Sequence, residues 1–206
     1  MHRVRIKICG ITRAEDAFYA AELGADAIGM VFFPDSPRCI DIADAKSICA
    51  VLPPFVSRVG LFVDQREAEI RSVLDELPMD YLQFHGSESP DECSRYGKPY
   101  IKSIAMKTGV DLSAEAGKYV GASCLLLDTH VQGLAGGTGQ KFDWDRIPPA
   151  LKKPIILAGG LTPENVKSAI TLVRPYGVDV SSGVEQSKGV KDPDKLASFM
   201  HAVYSA

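Results

Sequence analysis

The chain has 206 residues, 46% hydrophobic and 24% charged, a balance that excludes a disordered, collagenous or low-complexity polypeptide and fits one globular domain. A net charge of −3, with no basic run longer than Lys152-Lys153, argues against a nucleic-acid or anionic-membrane surface. Five cysteines, at positions 9, 39, 49, 93 and 124, form neither a CxxC nor a Cys/His cluster, so reduced thiols are expected rather than disulfides or a structural zinc. There is no apolar signal core near the N-terminus and no apolar stretch approaching the roughly 18 residues of a membrane span, so the expected compartment is the cytoplasm.

Short β-branched runs recur at 4–8, 27–33, 56–63, 81–84, 100–104, 124–127, 154–157 and 177–180, and each reads as a buried parallel strand. Segments between them carry core-facing stripes at helical spacing: Ala45/Ile48/Cys49/Leu52, Ile70/Val73/Leu74/Leu77, Val166/Ala169/Ile170/Val173 and Leu196/Phe199/Met200/Val203. Thr12 with Glu15 and Ser89 with Glu92 predict capping boxes. Pro90, Pro163 and Pro193 each follow a good N-cap residue, Ser89, Thr162 or Asp192. About eight strands thus alternate with about eight helical segments, the sixth weak because 129–142 is a long Gly-rich stretch. Strict βα alternation means a parallel sheet, which an open doubly wound sheet and a closed barrel both satisfy. Eight units in 206 residues, with no Gly-x-Gly-x-x-Gly after the first strand, favour an α/β fold with one domain over 1–206, a single (β/α)8 TIM barrel.

A barrel places its chemistry at the C-terminal ends of its strands. Alternation puts Lys7 and Cys9 on one face of the first strand and Ile6 and Ile8 on the other, and sets Asp179 and Ser181 against Val178 and Val180 in the last. The apolar members must face the helices, so the polar members face the interior. Gln83 and His85 share a face of the fourth strand, and Asp128 ends the sixth. By position alone, Cys9 reads more readily as inert packing than as a catalytic group. Lys7 reads as an inward cation paired with a carboxylate or as a neighbour that favours the Cys9 thiolate, and His85 as a core histidine or a site group.

Two glycine turns, Ala158-Gly159-Gly160-Leu161 and Ser181-Ser182-Gly183-Val184, follow the last two strands. Backbone N–H groups there can approach an anion closely, and many barrels bind phosphate in these two loops. Arg38 in Ser36-Pro37-Arg38 suits a carboxylate or phosphate, or is simply solvated. The stretch 133–139 after Asp128 reads as a closing lid or a slack loop.

In order along the chain, Lys7-Ile8-Cys9-Gly10-Ile11-Thr12, Ser36-Pro37-Arg38, Leu82-Gln83-Phe84-His85-Gly86, Leu127-Asp128-Thr129, Gly136-Gly137-Thr138-Gly139, Phe142-Asp143-Trp144, Leu157-Ala158-Gly159-Gly160-Leu161 and Asp179-Val180-Ser181-Ser182-Gly183-Val184-Glu185 resemble the phosphoribosylanthranilate isomerase family of tryptophan biosynthesis. The resemblance runs from the first strand to the eighth. It implies a single barrel, an isomerase that performs an Amadori rearrangement of a phosphosugar substrate, and no metal or organic cofactor. It implies Cys9 as general base and Asp128 as general acid, Arg38 against the anthranilate carboxylate, and the turns at Gly159, Gly160, Ser181, Ser182 and Gly183 as the phosphate cradle. Lys7, His85 and Asp179 are expected to line the substrate. Cys39 departs from the family, in which an aromatic residue commonly follows the arginine. Two alternatives are another phosphosugar-barrel isomerase, whose strand-one base is usually a carboxylate rather than a cysteine, and a non-catalytic phosphate-ligand barrel that would tolerate loss of Cys9 and Asp128. No nucleic-acid or membrane partner is expected, and the assembly is expected to be a monomer or homodimer.

Overall fold

The computed structural model describes residues 3–128, 147–148 and 151–206. The parallel strands are β1 (Arg5–Cys9), β2 (Ala27–Val31), β3 (Ser57–Phe62), β4 (Tyr81–Phe84), β5 (Tyr100–Ala105), β6 (Cys124–Asp128), β7 (Ile155–Ala158) and β8 (Gly177–Val180). They close in sequence order, with β8 pairing back onto β1. The expected barrel is therefore the observed one, with strand ends within two residues of the sequence reading.

The described helices are α1 (Ala14–Glu22), α2 (Ile42–Val51), α3 (Glu67–Glu76), α4 (Pro90–Ser94), α5 (Leu112–Lys118), α6 (Val166–Val173) and α7 (Pro193–Tyr204). A 3₁₀ turn (Ser182–Val184) and a hairpin of β9 (Glu185–Ser187) and β10 (Val190–Lys191), which the sequence reading did not anticipate, come before α7. The helical segment expected after β6 and the stretch 133–139 lie outside the described residues.

Helix starts follow local chemistry where nothing distant competes. Ser89 and Glu92 form the expected capping box, and Asp192 caps α7 ahead of Pro193. The Thr12–Glu15 box does not form: Arg13 is the N-cap of α1, and the Thr12 hydroxyl donates to the Gly189 carbonyl in the hairpin. Pro163 does not open α6 either. Thr162 to Asn165 form a turn in which the Asn165 side chain accepts from Thr162 N–H and donates to Gly160 C=O, and the helix starts one residue later.

The larger core lies between sheet and helices. It takes Ile6, Ile8, Leu82, Phe84, Leu125, Leu127, Val178 and Val180 from the strands, together with all four stripe residues of α7. Inside the barrel, Val59, Ile101, Cys124, Leu126 and Ile156 fill the lower part with Ala158 packed on them at the end of β7, and Cys9, Val31 and Leu61 form a second cluster. This partition is the alternation expected from the sequence, and it leaves Lys7, Cys9, Gln83, Asp128 and Asp179 as inward strand positions.

Candidate active site

The register sets the first contact. Lys7 of β1 lies directly beside Asp179 of β8, and its Nζ is 2.9 Å from Asp179 Oδ1, both side chains being buried. Cys9 stands beside Gly29 of β2. A Cβ at position 29 would lie 2.9 Å from Cys9 Sγ and 3.0 Å from Lys7 Nζ, so the missing side chain is what admits thiol and ammonium together. Burial opposes the charge on Lys7, but Asp179 and Cys9 outweigh it and hold the ammonium well above its ordinary range. Burial also pushes the Cys9 thiol up, and the pull of Lys7 and Lys191 in the other direction does not cancel it. Lys7 thus both pairs with a carboxylate and favours the thiolate, though it does not make the thiolate the resting form.

On the far side of the mouth, His85 Nε2 is 3.2 Å from Asp128 Oδ2 and 3.3 Å from Ser103 Oγ, and His85 Nδ1 is 3.0 Å from Gln83 Nε2. His85 is therefore a part-exposed group paired with Asp128 rather than one enclosed in the apolar core. The strand neighbours of Asp128 are Ala105 and Ala158, small side chains that leave room over the carboxylate.

Arg38 is not simply solvated. Its Nε and one terminal nitrogen each lie 2.7 Å from a carboxylate oxygen of Glu185, a bidentate pair that uses two of its five donors. Its Cδ lies 2.4 Å from where a Cβ of Gly10 would be, so the side chain lies flat over that glycine, whose φ is +69°. Glu185 also accepts from buried Lys191, whose Nζ donates further to the Cys9 carbonyl at 2.7 Å and the Ser181 carbonyl at 3.1 Å. One buried ammonium therefore ties the ends of β1 and β8 to the carboxylate that orients Arg38. Neither Lys191 nor the role of Glu185 emerged from the sequence, because their partners lie in other loops and no local spacing marks them.

The two glycine turns touch. A Cβ on Gly183 would sit 1.9 Å from the Leu161 carbonyl oxygen, so the loop after β8 packs against the loop after β7 only with glycine there. Gly159 and Gly160 have φ of +82° and +66°, and the space beside Gly160 is open. Ser182 is exposed, and the hydroxyl of Ser181 is buried without a hydrogen-bond partner among the described residues. The structure thus brings together Lys7, Cys9 and Asp179, sets His85 beside Asp128, and brings the two turns into contact. Among the described residues no group of three or more His, Cys, Asp or Glu side chains could hold a metal ion.

The family model described as N-(5'phosphoribosyl)anthranilate (PRA) isomerase matches residues 6–202. An N-(5'-phosphoribosyl)anthranilate isomerase of Pseudomonas fluorescens (strain SBW25) is 58% identical over 203 residues, covering 98% of this chain and 97% of its own. A solved phosphoribosyl anthranilate isomerase in complex with reduced 1-(o-carboxyphenylamino)-1-deoxyribulose 5-phosphate superposes with a TM-score of 0.83 at 39% identity, over 98% of this chain and all of that one. A structure of monomers generated from the dimeric enzyme of Thermotoga maritima gives a TM-score of 0.81 at 37% identity, again over 98% of this chain and 100% of the other. A match to the family model over nearly the whole length, on a closed barrel with these groups at its strand ends, places the chain in the N-(5'-phosphoribosyl)anthranilate isomerase family.

Proposed function

We propose that this enzyme catalyses the Amadori rearrangement of N-(5-phosphoribosyl)anthranilate to 1-(2-carboxyphenylamino)-1-deoxyribulose 5-phosphate, an isomerase step of tryptophan biosynthesis, with Asp128 as general acid and Cys9 as general base. The observation that carries the reading is the separation of roles at the mouth: a carboxylate at the end of β6, a thiol at the end of β1, and two abutting glycine turns after β7 and β8. Backbone N–H groups of Gly159, Gly160, Ser182 and Gly183, with the Ser181 hydroxyl, would hold the phosphate. The donors of Arg38 left over from Glu185 would meet the anthranilate carboxylate.

Anchored at both ends, the sugar spans acid and base. Asp128 delivers a proton to the furanose ring oxygen. The C1–O bond breaks, and the nitrogen lone pair closes a C1=N iminium. The iminium acidifies the C2 hydrogen, which the Cys9 thiolate removes, and the resulting enolamine tautomerises to the C2 ketone. A buried thiol held above its ordinary value becomes a thiolate most readily when positive charge is nearby, and Lys7 and the iminium both supply it. Lys7, Asp179 and His85 line the sugar between the two, so that C2 is held within reach of the sulfur.

Residues 1–206 act as one domain, a reading supported by the pairing of the first strand with the last. The protein works as a monomer or homodimer on a small phosphosugar, with no nucleic acid or membrane partner. No helix among the described residues is long and apolar enough to cross a membrane. All five cysteines are free thiols, which suits the reducing cytoplasm. The test is the loss of phosphoribosylanthranilate fluorescence when the substrate is generated in situ from anthranilate, with the Asp128→Asn protein run in parallel. Consumption by the wild type alone is the expected result; a folded but inactive wild type would overturn the substrate assignment.

A further inference from the structure

Gln83 is fully buried in the barrel interior, yet its amide makes a single hydrogen bond among the described residues, to His85 Nδ1, and its Oε1 has no partner. A buried amide oxygen without a partner is destabilising, and a leucine or methionine would fill the same space without that penalty. Because nothing else among the described residues holds the amide, it can present either its oxygen or its nitrogen to the imidazole. The two ends fit the site identically in shape and differ only in hydrogen bonding.

Each orientation selects a different state of the pair beyond it. With the NH₂ toward Nδ1, that nitrogen must accept, so the ring carries its hydrogen on Nε2 and donates to an ionised Asp128. With Oε1 toward Nδ1, that nitrogen keeps its hydrogen and Nε2 can accept from a protonated Asp128, 3.2 Å away. The two arrangements differ by one proton on the carboxylate and by the tautomer of the ring. We propose that Gln83 is a positioning residue that, by turning its amide against His85, holds Asp128 in its proton-donating form before ring opening and accommodates the carboxylate afterwards. The proposal rests on Asp128 being the general acid.

The other polar and charged groups around the imidazole do not take over this task. Ser103 Oγ touches Nε2 and can donate or accept, so it follows whichever state the ring adopts. Lys102 of β5 points out of the barrel and is paired with Glu88 at 2.8 Å while donating to the Gly86 carbonyl at 2.6 Å. Lys7 and Asp179 are paired with each other beside Cys9. Gln83 alone among these contacts Nδ1.

Two variants and two readouts test the idea. Gln83→Glu, when ionised, presents only acceptors and enforces Nδ1–H; Gln83→Met keeps the length and removes the hydrogen bond. The basic limb of kcat against pH, which reports loss of the acid's proton, should move up by about one unit in Gln83→Glu and down by about one unit in Gln83→Met. KM should change less than threefold while kcat of Gln83→Met falls about tenfold at neutral pH. The ¹⁵N shifts of the His85 ring, read without turnover, should show Nδ1 protonated in Gln83→Glu and the Nδ1–H population lost in Gln83→Met. Both limbs staying in place in folded variants would overturn the proposal, as would a ring tautomer indifferent to residue 83. Failure of the acid assignment is a separate result, a fully active Asp128→Asn protein.

Discussion

Cys9 and Cys124 point into the same barrel from opposite ends, and both are 6% exposed. Burial pushes the thiol of Cys124, at the start of β6, up to about 12, and distant Lys7 and Lys153 hardly offset it. The thiol of Cys9, at the end of β1, is raised by the same cause, but Lys7 sits against it and Lys191 holds its carbonyl. The two ends differ in shape as well. The N-terminal end has a cavity of about 530 Å³ whose wall includes Val59, Tyr81, Ile101, Cys124 and Ile156 together with Arg5, Lys7 and Asp26, while Asp128, Cys9 and Arg38 all stand at the C-terminal end. That wall carries charge too, so concavity and charge do not by themselves make a reaction site. Two equally buried sulfurs are distinguished by their cationic neighbours.

The sharpest way to break this contrast is to remove each sulfur in turn. Cys9→Ala and Asp128→Asn should each lower kcat by about 10² to 10⁴, the usual weight of a positioned acid or base. Cys124→Ala should leave kcat within a factor of about two and cost roughly 1 kcal/mol of stability for the lost buried sulfur, read by urea melts. A Cys124→Ala protein as inactive as Cys9→Ala would show that the lower interior takes part in the chemistry.

A second difference lies in how the ends are held together. Burial pushes the Glu185 carboxyl up, but Arg38 and Lys191 outweigh it and bring it below its ordinary value of 4.5. Its folded value lies below its unfolded one, so the stabilisation is complete above about pH 4.5 and is lost as pH falls through the lowered folded value. Glu185→Gln should cost about 3 kcal/mol at neutral pH, because Lys191 is left buried without its counter-charge. The acid limb of stability against pH should also flatten in that variant. Melts from pH 7 to 3 that run parallel for the two proteins would remove Glu185 from this role.

The polar ring at the mouth was legible in the sequence wherever it follows strand phase. Lys7, Cys9, Gln83, His85, Asp179 and Ser181 fall out of period-two alternation, and the glycine turns out of their position after the last two strands. What could not be read is everything decided by a partner far along the chain. The Thr12 hydroxyl looks like a cap for α1 until the hairpin supplies a carbonyl for it. Lys191 looks like one surface lysine among many, although its Nζ is the buried joint between two strand ends. Arg38 reads as an anion binder or as solvated, with nothing nearby to decide, because Glu185, its partner, is 147 residues away. Periodicity reports which way a side chain faces, and only the closed barrel reports what it meets.

Arg38→Met tests the outer anchor. Two charge-assisted hydrogen bonds to a carboxylate contribute roughly 1.5–3 kcal/mol, so KM should rise about 10- to 100-fold with a smaller fall in kcat. The loss of the Glu185 pair should appear separately as a lower Tm. An unchanged KM would mean that the anthranilate carboxylate is held elsewhere.

The smallest change with an informative outcome is Gly29→Ala, one methyl added beside Cys9. Its Cβ would meet Cys9 Sγ at 2.9 Å, Lys7 Nζ at 3.0 Å and the Cys9 Cα at 3.1 Å. The first two are side-chain ends that can swing, while the third is backbone that must give by a few tenths of an ångström. Lys7 keeps Asp179 at 2.9 Å as its alternative anchor, so it is the ammonium that should move away from the sulfur. We expect kcat to fall about tenfold, Tm to drop by only a few degrees, and the thiolate of Cys9, titrated by its ultraviolet absorbance against a Cys9→Ala blank, to appear at higher pH than in the wild type. If kcat falls while the thiolate titration stays in place, the methyl is obstructing substrate, and Lys7 is not what favours the Cys9 thiolate.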